Sequence, residues 1–338
     1  LRHSGLSGYD IGVTETDFPS ENLAMSSLQT LLTDILDYAG LYPPAGLPLP
    51  EVVSNYSGYL QHPAAWMLAR LIVPVQRLEE FAELARTSWT LSAPESLPWR
   101  VSCLVPGPEA DLASFADAWR SILAFNLKYS GRAVIDAVET KVDNVSLLAA
   151  ASKHCDSAVK TYWELPHAQS CRELLGEVSR LGPGHRAKLR TGGIQPQLIA
   201  SVPDVARFLH DCAHSAVAFK ATAGLHHPLR AEYPLTYAAD SPCATMHGFL
   251  NLFVAAAAAF RKRAHMEQIS QLLTASSADD FRFEKASLEA GGYSFSLEDL
   301  AATRSQFAIG FGSCSFSEPV EDLRTLGWLD WETTSSHS

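Results

Sequence analysis

Ala187-Lys-Leu-Arg-Thr-Gly-Gly193 and Ala216-Val-Ala-Phe-Lys-Ala-Thr-Ala-Gly224 are short runs ending in cations and small-residue turns, with the helical pattern of residues 202–214 between them. A strand, a turn, a helix and a second strand in that order make a parallel pair joined by a right-handed crossover. The same unit recurs upstream. Leu71-Ile-Val-Pro74 precedes a helical pattern at 77–87, Val101-Ser-Cys-Leu-Val105 one at 109–125, Ala133-Val-Ile-Asp-Ala137 one at 143–153, and Val159-Lys-Thr-Tyr-Trp-Glu164 one at 168–181. Downstream, a long loop after Lys220 leads into a helix predicted at about 243–263. Phe281-Arg-Phe-Glu-Lys285 fits a seventh strand or a small hairpin, and Phe307-Ala-Ile-Gly-Phe-Gly-Ser313 reads as a closing strand with a helix at 318–325 behind it. Six clear units and two less regular ones predict an α/β fold, a (β/α)8-like TIM barrel with one strand irregular or missing. An open doubly wound parallel sheet is the alternative, because closure is not visible in a sequence.

Before these units, residues 26–38 carry apolar positions at helical spacing, and Tyr42-Pro-Pro-Ala-Gly46 stops that helix. A second helix is predicted over 51–61. On this reading Asp37-Tyr-Ala-Gly-Leu-Tyr-Pro-Pro44 precedes the first strand, and its place at the mouth or the bottom of the barrel stays open. Residues 1–24 are polar, Gly/Ser-rich and acidic, without the order of a signal peptide, and read as a disordered extension. Residues 25–330 form one predicted barrel domain with N-terminal helices, and 331–338 a disordered tail.

The 338 residues suit one barrel with insertions, and 47% hydrophobic with 19% charged residues supports a large core. The net charge of −11 comes from 37 acidic against 26 scattered basic residues, which argues against a nucleic-acid partner. The run Val254-Ala-Ala-Ala-Ala-Ala-Phe260 is too short to span a membrane, so a soluble protein with no membrane partner is expected. The six cysteines are far apart with no C-x-x-C pair, which fits a reducing, cytoplasmic location. No cofactor is expected, and a homo-oligomer is compatible with everything above.

Barrel enzymes place their chemistry at the carboxyl ends of the strands. Lys188 and Arg190 lie two apart on one strand and therefore share a face, the barrel interior if Leu189 faces the helices. Two cations aimed at one space call for an anion, which Thr191, Gly192 and Gly193 could help hold through a hydroxyl and backbone N–H groups. The competing reading is an ordinary glycine turn with snorkelling basic side chains. Lys220 ends an apolar strand, with Thr222 beyond it. Lost hydration and a neighbouring cation are expected to lower its pKa, and a neutral amine is what Schiff-base formation needs. A protonated Lys220 would instead hold an anion, or pair with Glu164 or Glu139.

Glu164 follows Tyr162 and Trp163, a setting that can raise a carboxyl pKa; its alternative is a salt bridge to Lys188 or Lys220. His226 and His227, in the loop after Lys220, are candidate acid–base groups. A metal site would have to recruit Glu164, His226 and His247 from separate segments, while His210 and His214 fall on the opposite barrel face and read as structural. Ser313, Cys314 and Ser315, followed by Ser317 as candidate N-cap and Pro319 in the first turn, resemble a phosphate seat, the alternative being a well-capped helix with no ligand. Cys314 has no histidine nearby in sequence, although one from the Lys220 loop could reach it in space.

Lys220-Ala-Thr-Ala-Gly224 resembles the Lys-Thr-Ser-Thr-Gly-like run of class I aldolases of the deoxyribose-phosphate type. Lys188-Leu-Arg-Thr-Gly-Gly193 is loosely similar to that group's Lys-x-Ser-Gly-Gly, with one more residue before the glycines and the two strands in the opposite order. The resemblance covers about a dozen residues. It implies a Schiff-base lyase. The expected activity is that of a barrel enzyme on a small anionic carbonyl metabolite. Catalytic candidates are Lys220, Lys188, Glu164 and His226; substrate-binding candidates are Arg190, Thr191, Gly192, Gly193, Thr222, His227, Ser313 and Ser315. A metal-assisted hydrolase or isomerase using Glu164, His226 and His227 is the first alternative, and a non-catalytic anion-binding barrel the second.

Overall fold

The computed structural model describes residues 26–91, 97–166 and 171–330. The predicted extension at 1–24 and the tail at 331–338 lie outside them. Eight parallel strands close into a barrel: β1 (Leu36–Tyr38), β2 (Leu68–Pro74), β3 (Trp99–Leu104), β4 (Ala133–Lys141), β5 (Lys160–Glu164), β6 (His185–Arg190), β7 (Phe219–Thr222) and, last in the ring, a strand at Ala308–Ser313 that pairs with both β7 and β1. The open-sheet alternative is thereby excluded. Seven of the strands are those predicted, within a few residues.

The eighth is the correction. The helix expected over 26–38 stops early, spanning Ser27–Leu32, and Asp34 then takes a left-handed φ of 50°. After that turn Leu36–Tyr38 enters the sheet as its first strand, with Leu36, Asp37 and Tyr38 all buried. Two antiparallel elements lie outside the barrel. The residues after β7 form a hairpin of β8 (Ala231–Pro234) and β9 (Cys243–Met246), so the helix predicted at 243–263 begins only at Phe249 and ends at Arg261. Phe281–Phe283 is β10 of a separate sheet with β11 (Ser287–Ala290) and β12 (Tyr293–Ser296), not a barrel strand. The closing strand Ala308–Ser313 is therefore β13.

Two local irregularities shape the interior. Across β3 and β4, Val101 faces Ile135 but Ser102 faces Ala137, so Asp136 is an extra residue in β4. A one-residue bulge inverts the alternation. Asp136 and Glu139, three positions apart, thus both reach interior partners, Arg70 and Lys220. On β13, a Cβ at Gly310 would stand 2.7 Å from the carbonyl oxygen of Ile35, so only glycine allows β1 to come that close.

The bottom of the barrel is tied by Arg304, from the helix Leu297–Gln306. Its guanidinium donates to the carbonyls of Leu31, Thr33 and Asp34 on one side and Ala308 and Ile309 on the other. The turn feeding β1 and the start of β13 are thus held by one buried cation. Among the described residues, no helix is long and apolar enough to cross a membrane.

Candidate active site

At the carboxyl ends of the strands lies a cavity of about 280 Å³. Its floor and one wall are charged, with Glu139, Glu164, Lys188 and Arg190 from β4, β5 and β6. The facing wall is apolar, with Tyr42, Pro43, Ile72 and Leu104. The segment after Asp37 therefore covers the mouth of the barrel.

The charged groups form an alternating series. Arg190 Nε donates to Glu164 Oε1 at 3.2 Å, and Lys188 Nζ lies 2.9 Å from both Glu164 Oε2 and Glu139 Oε2. The other oxygen of Glu139 accepts from Lys220 Nζ at 2.6 Å and from Ser102 Oγ at 2.6 Å. Lys220 also donates to Asp37. From there the series continues downward, with Arg70 3.7 Å from Asp37, Asp136 joining Arg70 to Arg100, and Arg100 ending 3.4 Å from Asp34. Five cations and five carboxylates thus run through the barrel from mouth to bottom. Glu139 is 1% exposed, Lys220 2% and Lys188 4%. Charges so far from water persist only when paired and hydrogen-bonded.

This pairing overturns two expectations. Burial does oppose the charge on Lys220, but Asp37 and Glu139 outweigh it and hold the amine above the usual lysine value, not below it. Burial likewise pushes Glu164 up, yet Lys188 and Arg190 overcome it and keep the carboxyl below its ordinary value. Glu139 behaves in the same way: desolvation is overridden by Lys188 and Lys220, and its carboxyl lies far below the usual range. The anion that the two strand-end cations call for is supplied by the protein's own carboxylates.

Lys188 and Arg190 do face one space, together with Glu164, Gly193, Thr222 and His226, all on the cavity surface. Lys220 lies beneath the floor, its Nζ 5.5 Å from the Tyr162 ring centre. Thr191 turns away from the cavity to donate to the carbonyl of Ala223 at 2.5 Å. Gly192 packs against Gly224, where a Cβ would meet Gly224 Cα at 3.1 Å, so the two glycine turns brace each other. His227 stacks on Tyr233 and bonds Asp322 at 2.6 Å. Ser313 and Ser315 are spent on the following helix, Ser317–Thr325: Ser315 N donates to Ser313 Oγ, and Ser315 Oγ accepts from Glu318 N at 3.1 Å. The cap expected from Ser317 is thus supplied by Ser315.

A second cluster stands on the rim. His226 Nδ1 is 3.1 Å from Glu318 Oε2 and 3.9 Å from Cys314 Sγ. Burial works against a charged His226, but Cys314 and Glu318 prevail and raise its pKa to about 9. A raised histidine contributes stability that is whole below the unfolded value, near 6.5, and is lost as pH rises through about 9. Folding free energy from urea titrations is therefore expected to fall by about 3 kcal/mol at most between those limits. His226→Gln should flatten that part of the profile; an unchanged slope in the variant would assign it to other groups.

Among the described residues no three His, Cys, Asp or Glu side chains converge to hold a metal ion. His247, one of the candidate ligands, is instead turned to the carbonyl of Ala200 at 2.8 Å. Asp37, Gly312 and the apolar wall of Tyr42, Ile72 and Leu104 had no part in the predicted site; the first was concealed by the helical spacing of its neighbours. No protein-family model, curated protein or solved structure matches the chain.

Proposed function

We propose that the protein is a Schiff-base enzyme of lyase type in which Lys188, not Lys220, is the amine that attacks a small carbonyl substrate. The observation that carries the reading is that Lys188 lines the cavity, with its Nζ 2.9 Å from each of two carboxylates. Ammonium and iminium carry the same charge, so Glu139 and Glu164 stabilise both the resting lysine and the intermediate.

In the first step Lys188 passes a proton to Glu164. The free amine forms a C–N bond to the carbonyl carbon, and the oxygen takes one proton from nitrogen. The carbinolamine hydroxyl then takes the proton from Glu164 and leaves as water, producing the iminium. That group draws electrons from a neighbouring C–C or C–H bond, the basis of aldolase-like chemistry. Lys220 acts here as a positioning residue: with Ser102 it fixes one oxygen of Glu139 and leaves the other for Lys188.

Because the buried lysines are already matched, Arg190 is the cation left for an anionic group on the substrate. Its side chain is 45% exposed and is bonded to Glu164 through Nε. A cavity of about 280 Å³ is at the small end for a ligand site and suits a small metabolite.

Borohydride added to the protein with a panel of small aldehydes, ketones and 2-oxo acids, followed by peptide mapping, is expected to give a reduced adduct on Lys188 and none on Lys220. An adduct on Lys220 would reverse the roles. A panel with no adduct on either lysine would remove amine catalysis and leave only a binding role.

A further inference from the structure

Cys314 and His226 come together across 88 residues of sequence, and both line the cavity. Besides His226 at 3.9 Å, the thiol meets the hydroxyl of Tyr237, from the loop of the β8–β9 hairpin, at 3.7 Å. Glu318 Oε2 joins the two, 3.1 Å from His226 Nδ1 and accepting from Tyr237 at 3.0 Å. Tyr38, on β1, also lies in the electrostatic reach of the thiol. Among the described residues, the contacts of Cys314 are with His226 and Tyr237, with Glu318 and Tyr38 close by, and of these the imidazole is the group that can carry a positive charge. Glu318 favours that charged form. Both contacts of His226 fall on Nδ1, so one imidazolium N–H is shared between the thiol and Glu318, and the arrangement sets a thiol beside an imidazolium that a carboxylate stabilises. Cys103 and Cys212, by contrast, lie in the apolar core, where burial pushes their thiols up.

We propose that Cys314 is a second nucleophile of the cavity, paired with His226, and that it captures aldehydes as thiohemiacetals. In the thiolate–imidazolium pair, a sulfur lone pair forms a C–S bond at the carbonyl carbon. The C=O π pair moves to oxygen, which takes the proton held by His226 and leaves the imidazole neutral. The addition is reversible and uses no oxidant or cofactor. No lysine takes part, so the inference stands apart from the Schiff-base reading.

Brief treatment of the native protein with iodoacetamide, with all six cysteines mapped, is the first part of the test. Cys314, only 5% exposed, should be alkylated at least as fast as the exposed Cys243. His226→Gln should slow Cys314 about tenfold and leave Cys243 unchanged. If Cys103 or Cys212 becomes reactive in that variant, the fold has been lost, and Glu318→Gln takes its place because it weakens the imidazolium without touching the thiol. The second part is carbon NMR with propanal labelled at the carbonyl. A bound tetrahedral-carbon signal distinct from the free hydrate is expected in the wild-type protein and is expected to vanish in Cys314→Ser. Alkylation of Cys314 much slower than that of Cys243, a rate indifferent to the loss of His226 or Glu318, or a signal that is absent or survives Cys314→Ser, would each overturn the proposal. A borohydride adduct on lysine is read in a different peptide, so failure of one proposal is distinguishable from failure of the other.

Discussion

Glu139→Gln is expected to destabilise the protein by about 3–5 kcal/mol at pH 7, because it removes the negative charge shared by two buried lysines. Each lysine keeps one carboxylate, Glu164 for Lys188 and Asp37 for Lys220. Glutamine can still accept from Ser102 and one ammonium, but its amide NH2 must then face the other. For a chain of this size the loss corresponds to a fall of roughly 5–8 °C in the thermal midpoint. The pH dependence has a definite sign. Glu139 is depressed in the folded state, so its contribution is present above the ordinary carboxylate range and is lost as pH falls below it. The gap between wild type and variant should therefore shrink by up to about 1.4 kcal/mol per pH unit below about 4.5. Urea titrations at pH 7 and in the acid range measure both. A difference under about 1 kcal/mol at pH 7 would mean that the two lysines hold their places without Glu139, and the positioning role assigned to Lys220 would fall with it.

Arg304→Met should cost about 4 kcal/mol or more for a different reason. Burial pushes the guanidinium down to about 10, so it remains charged at neutral pH, and its donors all go to backbone carbonyls. Methionine fills much of the volume but leaves those carbonyls without a donor, each costing about 1–3 kcal/mol where water cannot enter. Some hydration will recover part of this. Lysine at the same position has a single ammonium and cannot span both sides of the seam, so Arg304→Lys is expected to rescue little. Urea denaturation gives the magnitude, and amide exchange locates it. The amides of Leu36–Tyr38 should lose protection before those of the other barrel strands, and uniform loss across the ring would contradict the assignment of Arg304 to this seam.

The barrel was legible in the sequence wherever a strand was long enough to show its own pattern. Ala133–Lys141 and Trp99–Leu104 carry enough β-branched and alternating residues to stand out. Leu36-Asp-Tyr38 does not, since three residues cannot display a period of two, and Leu28, Leu31, Leu32 and Ile35 extend a helical spacing straight into it. That one miss carried through to the chemistry. With Asp37 placed on a helix, Lys220 was left with Glu139 or Glu164 as alternative partners, and lost hydration with a neighbouring cation set the expected direction of its pKa; with both Asp37 and Glu139 bonded to it, the direction reverses. The bulge at Asp136 was equally hidden, because only pairing with β3 reveals the extra residue. Lys188, Arg190 and Glu164 were placed together correctly because strand alternation and barrel polarity are local rules. That a histidine of the Lys220 loop could reach Cys314 was legible too; that it is His226, and that Glu318 joins the pair, no local rule contains.

The seam between β1 and β13 also has a consequence for how the chain is made. A ribosome releases the amino end first, so Leu36–Tyr38 is complete roughly 270 residues before its partner at Ala308–Ser313 has emerged. Throughout that interval β1 is an open edge, and β7 becomes a second once it has emerged, each able to pair with a neighbouring chain. Closure therefore waits for the last strand, and nascent protein of this kind is expected to lean on a chaperone until that strand arrives.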